Sequence, residues 1–302
     1  MKVIFSRKGF DSRAGGFASP IFPDGTIFSV PIPAKNNNTS YSDLSFQYNG
    51  ESISTILNQI TKSKKGAGHS RIFSEEMQYC DYQDSNNKMH HDPMLFNEET
   101  LKGLVFGQAG SAAGELINQK VKEDDIFLFY GWFREVEKDG VGEWKYKQDS
   151  KDKQVIWSWL QVQNCVDLNN ANDRDDIIKR YPFITKHPHF FDRYGIKNLL
   201  YIPTDHNLFI SRGTGRASSG VFEKYDAKRC LTDLHNYKGR STWRLPLCFQ
   251  YPHAFTRLKN FTPEGRDTVV FYKGFGQEYI LDLDKVDILD RENILKYVEN
   301  IF

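Results

Sequence analysis

Ile126-Phe-Leu-Phe-Tyr-Gly-Trp-Phe133 and Val155-Ile-Trp-Ser-Trp-Leu-Gln-Val162 are two runs of β-branched and aromatic residues with no polar alternation. A half-buried strand alternates apolar and polar residues; a strand apolar at successive positions must be covered on both faces. Asp124-Asp125 leads into the first run and Lys138-Asp-Gly140 lies in the long connection to the second. The pair therefore predicts two central antiparallel strands joined by a long loop.

Shorter strands are expected at Val3-Ile4-Phe5, Leu199–Ile202, Leu208–Ile210, Thr268–Tyr272 and Glu278–Leu281, with Lys273-Gly-Phe-Gly276 closing the last two into a hairpin and Ile27–Val30 a short extended piece between turns. Ile53, Ile56, Leu57 and Ile60 fall at helical spacing, as do Ile294, Tyr297, Val298 and Ile301. A small-residue helix is expected from about Ala109 to Val121, turning Leu116, Ile117 and Val121 inward. No linker or repeat is visible. The expectation is one α+β domain over residues 1–302, with a central, mainly antiparallel sheet, few flanking helices and long loops.

The 302 residues suffice for a sizeable core, and 14% of them are aromatic. Charged residues make up 26% and nearly cancel to +1. Bulk attraction to nucleic acid is thereby excluded, and a local basic groove is not. Four scattered cysteines form no CxxC pair, so a reducing compartment is expected rather than a disulfide or zinc framework. No secretory signal and no apolar run of about 18 residues is present. The expected protein is cytoplasmic, with no membrane partner.

Charge is concentrated just after the first strand, at Arg7, Lys8, Asp11 and Ser12, beside Gly15 and Gly16. A turn needs glycines but does not need these charged groups, and loops on a rigid scaffold carry chemistry. Arg7 or Lys8 suits a phosphate or carboxylate. Asp11 suits a general base and Ser12 a binding hydroxyl. Against this stands a plain structural reading, an Arg7–Asp11 ion pair pinning a glycine turn.

His90-His91-Asp92-Pro93 is the second concentration. Pro93 favours an extended Asp92, which puts His90 and Asp92 on one side of the chain. With His187-Pro-His189 they could move protons or complete a His/Asp metal site, although spacing alone assigns no metal. Gln108, ahead of the small-residue helix, suits a base edge or an anion. Tyr130, Trp132 and Arg134 share one face of their strand and could stack on a base, with core packing as the alternative for Trp132. Gln277 and Glu278 open a strand and offer a further amide and carboxylate. Lys62–Arg71 and Arg212–Gly220 read as solvated, flexible loops, and Cys165 and Cys248 as inert packing thiols.

Several of these segments carry a family likeness. Ser6-Arg-Lys-Gly-Phe-Asp-Ser12, Gly15-Gly16, Ser19-Pro-Ile-Phe-Pro-Asp-Gly25 and Pro31-Ile-Pro33 resemble the opening of the nucleotide modification associated domain 3 family. His90-His-Asp-Pro93, Phe106-Gly-Gln108, Asp125–Arg134, His187-Pro-His189, Ser241–Pro246 and Gly276-Gln-Glu-Tyr279 continue it in order along nearly the whole chain. That resemblance implies an enzyme acting on a nucleotide or on a base in nucleic acid, in the setting of DNA modification and phage conflict. It names neither reaction nor cofactor. The chain departs from the pattern at Gln154, where a histidine is expected, and at Trp157-Ser158, which replaces Phe-Gly. If that histidine acts in the family, the departure bears on activity here.

A further likeness is architectural. An acidic turn, an apolar strand and a strand ending in Leu160-Gln-Val162 resemble the core of PUA-like modules, including the EVE and ASCH readers of modified bases. Two function classes follow. One is a nucleotide- or base-modifying enzyme built on Arg7, Asp11, Ser12, His90, Asp92, His187 and His189. The other is a non-catalytic reader using the Tyr130/Trp132/Arg134 face. A subunit whose charged loops dock a partner protein is a third possibility.

Overall fold

The computed structural model describes residues 1–12, 14–34, 37–62, 81–191, 195–204, 215, 217–258, 260–271 and 277–302. In chain order, the first half contains strands β1 (Lys2–Arg7), β2 (Ser19–Ile21), β3 (Ile32–Pro33), β4 (Gln47–Tyr48) and β5 (Glu51–Ser52), then helix α1 (Ile53–Lys62). Strands β6 (Met89–His90), β7 (Met94–Asn97) and β8 (Lys102–Ala109) lead into helix α2 (Gly110–Asn118). The long strands β9 (Ile126–Lys138) and β11 (Lys153–Asp167) flank β10 (Trp144–Tyr146) and precede helix α3 (Ala171–Arg180). The remainder comprises β12 (Asn198–Pro203), β13 (Ser219–Val221), β14 (Thr242–Pro246), β15 (Asn260–Glu264), β16 (Asp267–Phe271), β17 (Glu278–Asp282) and helix α4 (Ile288–Ile301).

Ten strands form one sheet, whose main path runs β17-β1-β9-β11-β12-β8-β7. All its pairings are antiparallel except β1 and β2, which lie parallel to β9. The α+β class and the central β9–β11 pair are as expected. Their register slips between Ile156 and Ser158, leaving Trp157 as the extra residue of a bulge.

The all-apolar runs have a direct physical cause. Ile126, Leu128 and Tyr130 point to one face of β9, into a cluster with Val3, Phe5, Trp243 and the α4 residues Ile294, Val298 and Ile301. Phe127 and Phe129 point to the other, with Ile4, Phe106, Leu116 and Ile280. Ile4 and Ile280 belong to the β1–β17 end of the sheet, while Phe106 lies on β8 beyond β12. The sheet therefore curls around this second cluster and brings the ends of β1, β17 and β8 together.

Several expectations need correction. Thr268–Tyr272 and Glu278–Leu281 do not form a hairpin: β16 pairs with β14 and β15 in a separate three-stranded sheet, and β17 pairs with β1. Apolar Ile280 and Leu281 gain both faces of the main core there, which a two-stranded hairpin could not supply. The piece at Ile27–Val30 is no named strand, and Ile27 joins Ile21 through an isolated bridge, in keeping with a short segment between turns. Helix α2 ends earlier than expected, and its Ile117 is 47% exposed. Cys165 is exposed on β11, whereas Cys248 is half-buried and burial pushes its thiol up to about 11. The expected strand at Leu208–Ile210, the turn at 273–276, residues 63–71 and most of 205–216 lie outside the described residues.

Candidate active site

Where β1, β8 and β17 converge, a cleft of about 1150 Å³ opens. Arg7, Lys8, Asp11 and Ser12 enter it from the end of β1, and Gln277 and Glu278 from the start of β17. The antiparallel register sets Ser6 opposite Glu278, so the two segments arrive at the same level. Gln108 comes from the end of β8, and His90, Asp92 and His189 from the segments packed beside it. The widely separated sequence candidates thus share one cavity.

Lys8 and Glu278 form an ion pair at 3.2 Å, with side chains 8% and 1% exposed. The Lys8 ammonium also lies 4.5 Å from the centre of the Phe106 ring. Gln108 donates through Nε2 to Glu278 Oε1 at 2.5 Å and to Gln277 Oε1 at 3.3 Å. The contacts of Lys8 and Gln108 with Glu278 both reach one carboxylate oxygen, Oε1. Oε2 of Glu278 is buried without a hydrogen-bond partner, an uncommon condition for a native carboxylate.

Arg7 pairs with Asp11 at 3.3 Å. The Asp11 carboxylate and carbonyl also accept from the Ala14 and Gly16 N–H groups. Gly15 has φ +87° and packs so closely on Phe10 that a Cβ would lie 2.4 Å from its ring. Gly15 and Gly16 therefore build the turn and do not line the cleft. The structural and functional readings of this loop coincide: the ion pair holds the turn, and the same charges face the cavity.

Asp92 is the hub of the histidines. Its Oδ1 accepts from Gly107 N–H at 2.8 Å and lies 3.3 Å from His187 Nε2. Its Oδ2 lies 3.8 Å from His90 Nε2 and 4.0 Å from His189 Nε2. His90 and Asp92 project to one side, as alternation requires. Burial would raise the Asp92 carboxyl, but the hydrogen bond from His187 and the surrounding imidazoles outweigh it and hold the group well below the usual carboxylate range. Burial lowers His91 to about 4 and His189 to about 3, so both rings are neutral at physiological pH.

Hydrogen bonds set the tautomers. Asn198 donates from Nδ2 to the His189 carbonyl, which leaves its Oδ1 to accept from His189 Nδ1–H at 2.6 Å. His189 Nε2 is then the lone-pair nitrogen. His187 caps the turn of Pro188–Phe190 by accepting the His189 N–H on Nδ1, so its Nε2 carries the proton offered toward Asp92. Gly107 permits this arrangement, since a Cβ there would stand 2.2 Å from the His189 ring. His187 itself is fully buried and supports the cleft from behind. Among the described residues, His90, Asp92 and His189 form the group that could hold a metal ion, with donor atoms within 4.8 Å of one another.

The aromatic face does not come to the cavity. Tyr130 is buried edge-on to Trp243, with centroids 5.1 Å apart. Trp132 lies under Arg240, whose guanidinium is 3.9 Å from its ring and also donates to Ser12 Oγ. Arg134 binds the Lys147 and Gln148 carbonyls and covers Tyr146. Gln154, the departure from the family pattern, is buried and accepts from Trp243 Nε1, away from the cleft lining. Sequence reasoning missed Arg257, Glu115 and Ser111, which line the cleft, and Asn198 behind it. Ser111 and Glu115 sit on the expected helix, where the Gly-Ser-Ala start was the available signal. Arg257 and Asn198 carried none.

A family model described as nucleotide modification associated domain 3 matches residues 2–282. The chain belongs to that family. No curated protein and no solved structure matches it. The family match spans every cleft-lining segment from Arg7 to Glu278, and the 3-10 turn Leu283–Lys285 and α4 lie beyond it. Among the described residues, no helix is long and apolar enough to cross a membrane.

Proposed function

We propose that the cleft is the active site of an enzyme that modifies a nucleotide or a base within nucleic acid, working in the cytoplasm in the context of DNA modification or phage conflict. The observation that carries this reading is convergence: four carboxylates, two imidazoles, three cations and two amides face one cavity. A folding core does not require such a concentration of ionisable groups.

The roles follow from position. Arg7 and Arg257, with the N-terminal turn of α2 at Gly110–Ala112, suit a phosphate group. Gln108, Gln277 and Glu278 form a hydrogen-bonding edge suited to a base, with Glu278 Oε2 as an acceptor for an exocyclic amine or ring N–H. His189 Nε2, held as an acceptor beside Asp92, suits proton abstraction. The dispersal of Tyr130, Trp132 and Arg134 gives the reader hypothesis no aromatic cage at this cavity.

Mass spectrometry of nucleotides, and of nucleosides from DNA and RNA, before and after incubation tests the reading. A mass change with the wild type that disappears in Arg7→Ala and His189→Gln is expected. Retention of ligand with no change in mass would favour the reader instead.

A further inference from the structure

We propose that His90, Asp92 and His189 bind one first-row divalent transition-metal ion on the wall of the cleft. Two imidazole nitrogens and one carboxylate oxygen come from two segments, His90–Asp92 and the turn at His189, and these atoms lie within 4.8 Å of one another. Donors around an ion at about 2.1 Å stand about 3–3.5 Å apart. The observed 3.8 Å and 4.0 Å separations from Asp92 Oδ2 need to close by less than about an ångström, within the reach of side-chain rotation.

The surrounding hydrogen bonds prepare these donors for a cation. Asn198 takes the Nδ1 proton of His189, which leaves the lone pair on Nε2, 4.0 Å from Asp92 Oδ2. Asp92 Oδ1 is meanwhile engaged by Gly107 N–H and His187, which leaves Oδ2 as the ligand oxygen. An imidazole fixed by an amide oxygen and a carboxylate fixed by N–H donors is the supporting arrangement that metal ligands use. Gly107 reserves the space the His189 ring occupies.

The donor set selects the ion class. Magnesium and calcium take oxygen ligands, whereas two imidazoles favour iron(II), cobalt(II), manganese(II) or zinc. Three protein ligands on the wall of a cleft leave coordination positions for water or substrate. The metal site rests on this geometry alone and not on the assignment of the cleft to an enzyme.

The test uses the full-length, tag-free chain dialysed against EDTA and then titrated with zinc or cobalt(II) in a calorimeter. Bound metal is counted by elemental analysis, and the cobalt(II) visible spectrum reports its coordination. One ion per chain is expected. His90→Gln and His189→Gln should each weaken binding by about tenfold or more, and His187→Gln by about 10–100-fold at unchanged stoichiometry. Asp92→Asn risks misfolding, so His90→Gln, the more exposed of the ligands, serves as the deciding variant. Failure of the folded wild type to bind a stoichiometric ion overturns the proposal, as does unchanged affinity in His90→Gln. Metal binding without any nucleotide chemistry would sustain the site and count only against the enzyme reading.

Discussion

Lys8 and Glu278 illustrate how a single pair can serve both folding and chemistry. Removing one partner of a buried pair leaves the other charge stranded, at a cost of about 3–5 kcal/mol. Glu278→Ala is therefore expected to lower stability by that amount in urea titration. The double variant Lys8→Met/Glu278→Gln, which removes both charges, should recover much of the loss. If it recovers stability but not activity, the carboxylate acts on substrate as well as on Lys8. Arg7 offers the opposite case. It is partly solvated and its pairing with Asp11 contributes at most about 1 kcal/mol, so Arg7→Ala should melt close to wild type while abolishing turnover. Melting curves and product assays on one preparation check both halves.

Among the elements, β8 contributes most to the site because it combines core and cleft residues at adjacent positions. Phe106 packs into the cluster around Phe127 and Phe129, Gly107 holds Asp92 and makes room for His189, and Gln108 reaches Glu278. Gly107→Ala should thus displace the His189 ring, cost about 1–3 kcal/mol from overpacking and abolish the function of the cleft. Gly220→Ala is the matched control. Its Cβ would meet the Trp159 ring at 2.7 Å, and neither residue lines the cleft, so it should show a similar stability loss with ligand or metal binding intact. Equal functional loss in the two variants would show that global destabilisation is responsible.

At the scale of the whole molecule, α4 lies beyond the family match yet completes the core. Ile294, Val298 and Ile301 are buried against Val3, Leu128 and their neighbours. Full burial contributes about 1.5–3 kcal/mol for each such side chain, a sum comparable with the whole stability of an ordinary domain. Truncation after Val286 should therefore lower the melting temperature by at least about 10 °C or prevent soluble folding. Because helix, sheet and cleft share continuous clusters, we also expect residues 1–302 to behave as one domain. Calorimetry should record a single cooperative transition, and two separable transitions would count against that unity.

Local pattern alone was sufficient for much of this protein. The apolar runs of β9 and β11 marked the centre of the sheet, 3.6-residue spacing marked α1 and α4, and charges among glycines marked the loop after β1. Those signals are written in neighbouring residues, because strand and helix periods arise from backbone geometry over a few positions. Pairing partners are not written there. Loop-closure entropy grows only logarithmically with length, so β17 could join β1 across nearly the whole chain instead of folding back on β16. That distant pairing brought Glu278 to Lys8, while other long-range contacts gathered the histidines around Asp92 and buried Tyr130 in the core. The residue types of the candidate site were legible in the sequence; their tautomers, their shared cavity and the loss of the aromatic face were set by contacts between segments that only folding brings together.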